Sequence, residues 1–388
     1  MEPIWLGLSL LSLMIWSYLL LWRGQFWRTN QQLTNCPFQG GDRVPSIAVI
    51  IPARNEAEVL PISLRSLLTQ NYDASKLTIW LVDDHSEDGT ADVARQIAEV
   101  VDKTEQLHVL SAAALPKGWT GKLWALEQGV NHAIAQQNPD YLLLTDADIE
   151  HAPDNLSQLV AKAIHDDREL VSLMVKLRCK SFWEKLLIPA FVFFFAKLYP
   201  FTWVNNPQHP LGAAAGGCVL VKRKAIERIG GIASIRDALI DDCTLGRTIK
   251  GTGNHRIWLG LTNTTHSLRS YDTLETIWTM VTRTAYTQLN YSPVLLIGTL
   301  VGMFLVYLVP IVGITIGLLS GNVMITIASV IPYLFMTIAY LPTIQFYQCN
   351  PIWSLTLPAI AFLYTLMTID SARRHWQGKG GQWKGRTY

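Results

Sequence analysis

Charge is missing from two long stretches of this chain. Residues 294–369 contain no Lys, Arg, Asp or Glu over 76 positions, and residues 3–22 contain none either. Runs of that length exclude a wholly soluble protein and an intrinsically disordered one. Between them, residues 23–293 carry 27 basic and 28 acidic side chains, a net of −1, which is the balance of an ordinary soluble enzyme. The overall +2 arises in the tail, where Arg373, Arg374, Lys379, Lys384 and Arg386 outweigh Asp370 and Glu2. No basic patch interleaved with aromatics occurs in the polar stretch, so no nucleic-acid partner is expected. Cysteine is scarce as well. Cys36, Cys179, Cys218, Cys243 and Cys349 are odd in number and form no Cys-x-x-Cys pair. That argues against both a disulfide framework and a zinc site, and free thiols agree with a cytoplasmic domain.

A spanning helix needs ~20 apolar residues. The C-terminal run, 294–370, holds two to three such helices, roughly 294–319, 323–347 and 352–369. Residues 1–22 supply an N-terminal anchor around Ile4–Trp22. A cleaved signal peptide is the competing reading of that first run. It fits poorly, because no basic residue precedes the run and a bulky Trp-Arg-Gly-Gln-Phe-Trp-Arg segment follows it. The juxtamembrane linker, 23–45, carries Arg23, Arg28 and Arg43, and this flank places the polar domain in the cytoplasm. Three C-terminal spans would then put the tail, 371–388, outside, whereas its basic residues favour the inside. A re-entrant segment resolves the conflict, and 323–349, with Pro332 and Pro342, is the candidate. An external tail is the alternative.

The polar stretch alternates strand and helix. Strands are expected at Ile47–Ile51, Leu77–Val82, Leu107–Leu110 and Tyr141–Thr145, with helices at Glu58–Thr69, Thr90–Val101 and Lys122–Gln136. Such an order predicts an α/β fold, a mainly parallel sheet flanked by helices. Ligands of such sheets bind at the carboxyl ends of the strands. Three strands end in compact polar signatures: Ile-Pro-Ala-Arg-Asn-Glu (51–56), Val-Asp-Asp-His-Ser-Glu-Asp-Gly-Thr (82–90) and Leu-Thr-Asp-Ala-Asp-Ile-Glu (144–150). In an extended segment, Asp146 and Asp148 project to one side. Paired carboxylates repel unless a cation lies between them, and oxygen ligands suit Mg²⁺ or Mn²⁺. The alternative is that Asp-x-Asp begins a turn and caps a helix starting near Pro153.

With these three strand ends, residues 46–290 resemble the family 2 glycosyltransferases, whose catalytic domain has the Rossmann-like GT-A fold. The polar domain is therefore drawn as 46–293. The stretches 181–195 and 377–388 resemble the hopanoid-associated (hopene-associated) membrane glycosyltransferases of bacteria, which implies the bacterial inner membrane. The resemblance implies a nucleotide-sugar donor, a divalent metal (Mg²⁺ or Mn²⁺) and a membrane lipid acceptor. Asp83 then accepts a hydrogen bond from the uracil imide with Asp84 in support, and Pro52, Arg54, Asn55 and Glu56 line the nucleoside pocket. Asp148 binds the metal, and Asp146 contacts ribose or the metal shell. Lys122 in Gly-Trp-Thr-Gly-Lys (118–122) approaches the donor, or is a solvated lysine at a helix start. Asp242, beside Asp241, is the candidate general base of an inverting transfer, and a helix N-terminus suits both carboxylates. Residues 216–223 fit a strand edge bordering the acceptor cleft. Many membrane members continue with Gln- or Arg-x-x-Arg-Trp. Here the stretch reads Met280-Val-Thr-Arg283-Thr284, keeping an Arg283 able to reach the diphosphate but losing the rest.

That loss argues against a processive polysaccharide synthase and favours transfer of one sugar. A catalytically silent nucleotide-sugar-binding scaffold is the other alternative, opposed by carboxylates crowded at four loop ends. A transporter is opposed by the absence of any ionisable residue in 294–369. The segment 182–203 carries nine aromatics. A single crossing there would put Asp148 and Asp242 on opposite sides of the membrane. Glu184, Lys185 and Lys197 suit an interfacial helix, or the segment packs on the C-terminal helices.

Overall fold

The computed structural model describes residues 2–33 and 44–379, together with the backbone of Gln382–Trp383 and Arg386–Thr387. Cys36, Arg43 and Lys384 lie outside the described residues. The chain divides into two compact units. One comprises Met1–Asn30, Cys179–Thr202 and Tyr271–Gly381, and the other Gln31–Arg178, Trp203–Ser270 and Gln382–Tyr388. The expected polar domain was one continuous stretch, whereas Cys179–Thr202 and the residues from Tyr271 cluster with the apolar helices.

The polar unit is built on an eight-stranded sheet: β1 (Ile47–Ala53), β2 (Leu77–Asp83), β3 (Leu107–Ser111), β4 (Tyr141–Thr145), β5 (Ile149–His151), β6 (Leu170–Lys176), β7 (Cys218–Lys222) and β8 (Ile257–Ser267), in the order β3-β2-β1-β4-β7-β6-β8-β5. The β3-β2-β1-β4 half is parallel throughout. β7 then runs antiparallel to both β4 and β6, and only β6–β8 returns to parallel pairing. The sheet is therefore mixed, and its parallel half is where strand and helix alternate in the sequence.

Every residue of β1 is buried, as expected of a parallel strand covered on both faces. Val49 and Ile51 join a core with Leu60, Leu64 and Ala94 from the helices Leu60–Leu68 and Thr90–Val100. Ile50 faces the helix Gly121–Gln137. Gly129 permits that contact, because a Cβ there would lie 2.6 Å from Ile50 Cγ2. Close seating of this helix also fixes its first turn, which carries Lys122. β1 and β2 pair from Ile47↔Leu77 to Ala53↔Asp83, so they end level. Their two polar loops emerge side by side.

Among the described residues of the other unit, four helices are long and apolar enough to cross a membrane: Glu2–Leu21, Pro293–Ser320, Val323–Phe346 and Pro351–Trp376. Val323–Phe346 continues unbroken through Pro332 and Pro342 for 24 residues, about 36 Å at 1.5 Å per residue. A re-entrant turn at 323–349 is thereby ruled out, since apolar helices tolerate internal proline where neighbours compensate. The aromatic segment forms the helix Phe182–Leu198, opened by a capping box between Ser181 and Glu184. Glu184 is fully buried, and its carboxylate accepts from the N–H groups of Lys180, Ser181 and Tyr271. It is a cap, not a solvated interfacial charge. Tyr364 Oη donates to Leu187 O at 2.9 Å, so this helix packs on the apolar helices, the second of the two readings above.

Candidate active site

At the carboxyl ends of β1 and β2, side chains stitch the two loops together. Asn55 N–H donates to Ser86 Oγ and Glu87 N–H to Asn55 Oδ1, both at 2.9 Å. Glu56 N–H donates to Thr90 Oγ1 and Ala57 N–H to Asp88 Oδ2, again at 2.9 Å. Asn55 adopts φ +53, a left-handed conformation that Asn tolerates better than most residues. Asp83 Oδ1 accepts from the hydroxyl and N–H of Ser86. Asp84 is buried, and Arg54 Nη1 donates to its carbonyl at 2.7 Å and pairs with its carboxylate at 3.4 Å. Pro52, next to last in its strand, lines an open pocket with about 360 Å³ of empty space, solvent included.

The far wall of that pocket is the helix Asp241–Thr252, whose first turn holds Asp241 and Asp242. Gly216 N–H donates to Asp242 Oδ2 at 2.8 Å and Cys243 N–H to Oδ1 at 2.7 Å, so both oxygens are held. Burial, reinforced by the neighbouring Asp241 charge and partly offset by Lys122 and the two N–H donors, pushes the Asp242 carboxyl up to about 6. The helix rests directly on the chain that carries Gly216. A Cβ at Gly246 would fall 2.5 Å from the carbonyl carbon of Ala213, and one at Gly212 would fall 2.8 Å from Arg247 Cα. Farther along the helix, the buried Lys250 ammonium donates to the carbonyls of Val204, Asn206 and Leu211 at 2.7–3.0 Å. Gly246→Ala should therefore overpack this contact, costing ~1–3 kcal/mol. It should lower both the unfolding midpoint and activity, the latter by moving Asp242. An unchanged midpoint in thermal denaturation would refute the close approach.

Between the two walls stands Lys122, whose Nζ lies 2.9 Å from Asp146 Oδ1 and 3.1 Å from Asp241 Oδ2. A solvated lysine is thus ruled out. Although burial pulls the Lys122 ammonium down, Asp146, Asp241 and Asp242 together hold it above its ordinary value. Burial raises the Asp146 carboxyl, and Asp148 and Asp241 add to this against the pull of Lys122. Asp148 faces a different cation. Its Oδ2 accepts from Arg269 Nε at 3.0 Å and from Ser267 Oγ at 3.2 Å, while Arg269 Nη2 reaches Glu56 Oε1 at 3.2 Å.

The extended-strand argument for Asp146 and Asp148 fails here, because 146–148 turn between β4 and β5, with Ile149 N–H bonded back to Asp146 O. Nor does this turn cap a helix, since Asn155–His165 begins after Asp154. A polar network braces the turn from behind. Thr145 Oγ1 donates to Gly217 O at 2.7 Å and meets His151 Nε2 at 3.1 Å, and Asn155 Nδ2 lies 2.9 Å from His151 Nδ1. Burial lowers His151 to about 3, so it is neutral.

Arg269 and Ser267 carry no motif in the sequence, and Gly216 was legible only as part of the 216–223 strand edge, not as a donor to Asp242. The only signal for Arg269 was its place just after β8, at the carboxyl end of a strand. Arg283 follows the helix Leu274–Thr282 in the other unit. Among the described residues, no three His, Cys, Asp or Glu side chains converge as a metal cage. The site nevertheless gathers five carboxylates (Glu56, Asp146, Asp148, Asp241, Asp242) around two paired cations, Lys122 and Arg269. That uncompensated negative charge, offered through oxygen alone, fits a hard dication that takes its other ligands from phosphate or water.

Residues 48–230 match the family model described as Glycosyl transferase family 2. Among curated proteins, the chain is similar to the Probable glycosyltransferase YdaM of Bacillus subtilis, 24% identical over 257 residues, covering 64% of this chain and 58% of that protein. It is similar to the 4,4'-diaponeurosporenoate glycosyltransferase of Staphylococcus haemolyticus, 34% identical over 127 residues, covering 31% and 30% respectively. It is also similar to the Beta-monoglucosyldiacylglycerol synthase of Trichormus variabilis, 25% identical over 193 residues, covering 48% and 38%. The chain thus spans less than two thirds of each of these relatives. Among solved structures, the mannosyltransferase PcManGT from Pyrobaculum calidifontis, in complex with GDP-Man and Mn²⁺, has a TM-score of 0.54 at 17% identity, covering 96% of this chain and 99% of that one. That likeness shows a shared fold.

Proposed function

We propose that this chain, whose residues 48–230 match the Glycosyl transferase family 2 model, is a member of that family and moves a single sugar from a nucleotide-sugar donor to a membrane lipid acceptor with inversion. The observation that carries this reading is the pocket in which Asp242, with a carboxyl near 6, faces Lys122 and Asp146 at the strand ends. A carboxylate poised there accepts the proton of an acceptor hydroxyl as the oxygen attacks the sugar. Its two backbone donors fix which lone pairs remain for the proton. Asp83 and the interlocked 54–56 and 84–90 loops form the nucleoside cradle, with a uridine donor expected. Asp146 and Asp148 would hold Mg²⁺ or Mn²⁺, which as a Lewis acid supplies stabilisation of the departing diphosphate. Lys122 and Arg269 already place positive charge beside the same carboxylates and stand ready to meet the phosphates.

The four apolar helices and the lipid named in one relative, monoglucosyldiacylglycerol, support a lipid acceptor. A hopanoid acceptor rests on the sequence resemblance, as does placement in a bacterial inner membrane, whereas a cytoplasmic polar unit rests on the Arg23 and Arg28 flank. The test is to incubate the purified full-length chain with Mg²⁺, a total lipid extract and a panel of nucleotide sugars. One donor should yield a new lipid carrying a single sugar, identified by mass spectrometry, together with free nucleoside diphosphate. If no donor gives either product with either metal, the reading fails.

A further inference from the structure

The helices of the apolar unit can be ordered by level from their cross-contacts. Asn322 Nδ2 donates to Glu2 Oε2 at 2.8 Å, and seven residues on in each helix (2 to 9, 322 to 329) Ser9 Oγ meets Ser329 Oγ at 2.8 Å. Glu2–Leu21 and Val323–Phe346 therefore run parallel and in step. Pro293–Ser320 runs against them. A Cβ at Gly313 would approach both of those serine hydroxyls, and Trp16 Nε1 donates to Val306 O at 2.8 Å, lower in both helices. One face thus bears Glu2, Ser320 and Asn322. The opposite face bears Leu21, Pro293 and Phe346. Aromatic contacts agree, because Tyr340 meets Phe193 and Phe193 meets Phe26, just beyond Leu21.

Pro351–Trp376 begins five residues after Phe346, on that second face, so a crossing would have to end beside Glu2. It ends elsewhere. Ser371 Oγ donates to Thr282 O at 2.6 Å and accepts from Tyr286 N–H at 3.0 Å, and Ala372 packs with Tyr286 and Leu296. His375 stacks on Tyr291 at 4.3 Å, and Trp278 Nε1 donates to Asp370 Oδ2 at 2.9 Å. All of these partners lie at or before the start of Pro293–Ser320. Between its two ends, the segment rises only partway. Tyr333 Oη, ten residues into its own helix, donates to Leu355 O at 3.1 Å, and Tyr364 shares the Phe194 ring with Tyr307. Pro351–Thr356 is a 3₁₀ ascent and Leu357–Trp376 the helical descent.

We propose that residues 347–376 form a re-entrant helical hairpin that enters one leaflet only, from the face of Leu21 and Pro293. Its partner is the acyl-chain layer of that leaflet, which covers the exposed side chains of Ile352, Leu355, Phe362 and Ile369. Arg373, Arg374 and Lys379 then lie on the same side as the Arg23 and Arg28 flank. Three crossings and one hairpin bring both basic clusters to one side, as the bias of Lys and Arg requires. The fold thereby removes the conflict that three full C-terminal spans create, and it moves the re-entrant element from 323–349 to 347–376.

Single cysteines added at Lys379, Arg28 and Ser320 of the full-length chain test this. The readout is reaction with a membrane-impermeant maleimide in sealed vesicles of both orientations, taken as label gained over the parent chain. Lys379→Cys should react in the same vesicles as Arg28→Cys, and Ser320→Cys in the opposite ones. Reaction of Lys379→Cys with the Ser320→Cys set would establish a fourth crossing and overturn the hairpin. Neither outcome depends on transfer activity, so the two proposals stand or fall separately.

Discussion

Asp242→Asn should lower turnover by ~10²–10⁴-fold, the usual contribution of a positioned general base, while donor binding stays near wild type. The fold should survive, because two effects oppose each other. The wild-type carboxyl is raised to about 6, so the folded state holds a proton that the unfolded chain has already released between its ordinary value and 6. Stability falls as pH rises through that window, and removing the charge relieves up to ~3 kcal/mol at neutral pH. Against this, an amide cannot accept from both Gly216 and Cys243 N–H through two oxygens, and an unsatisfied buried donor costs ~1–3 kcal/mol. The unfolding midpoint should therefore move by only a few degrees. In the wild type, kcat should rise with pH through about 6 and then level, and this limb should vanish in the variant. Full turnover by Asp242→Asn at pH 7.5 would remove Asp242 as base.

The parts of this arrangement legible beforehand are those written in local periodicity. β1, β2, β3 and β4 are short apolar runs ended by polar loops, and the structure places strands within a residue or two of each. The four apolar helices follow from length and lack of charge alone. The antiparallel half of the sheet was not legible, because β7, β6 and β8 pair out of sequence order and no strand carries a signal for its neighbour. Arg269 was missed for the same reason, since it reaches Glu56 across more than two hundred positions. Asp-x-Asp misled through its spacing: two apart means one side only in a strand, and Ala147 sits in a turn. The level of Pro351–Trp376 was also hidden. Its composition equals that of a spanning helix, and only contacts such as Ser371 with Thr282 show where it ends.

Lys122→Met probes the electrostatic link between the two walls of the pocket. The ammonium is a close partner of Asp146 and Asp241 and pulls the Asp242 carboxyl down. Met keeps the stem and deletes the charge, leaving half-buried carboxylates unpaired. Breaking a fully buried pair typically costs ~3–5 kcal/mol, and the partial exposure of these groups should bring the loss below that range. The loss should shrink at mild acid pH, because Asp146 and Asp242 already titrate high and then simply take up protons. Asp242 should titrate above 6 in the variant, moving the acid limb of the pH–rate profile upward by about one unit. A dication offers a second route to the same compensation. If Asp146 and Asp148 accept Mg²⁺ or Mn²⁺, millimolar metal should restore part of the lost unfolding midpoint at pH 7.5, and more of it in Lys122→Met than in the wild type. Thermal denaturation across pH and metal concentration reads all of these shifts without any substrate. A Lys122→Met protein whose midpoint responds to neither proton nor metal would show that the carboxylates do not act as one charged cluster. The assignment of Asp146 and Asp148 to the metal would then lose its physical basis.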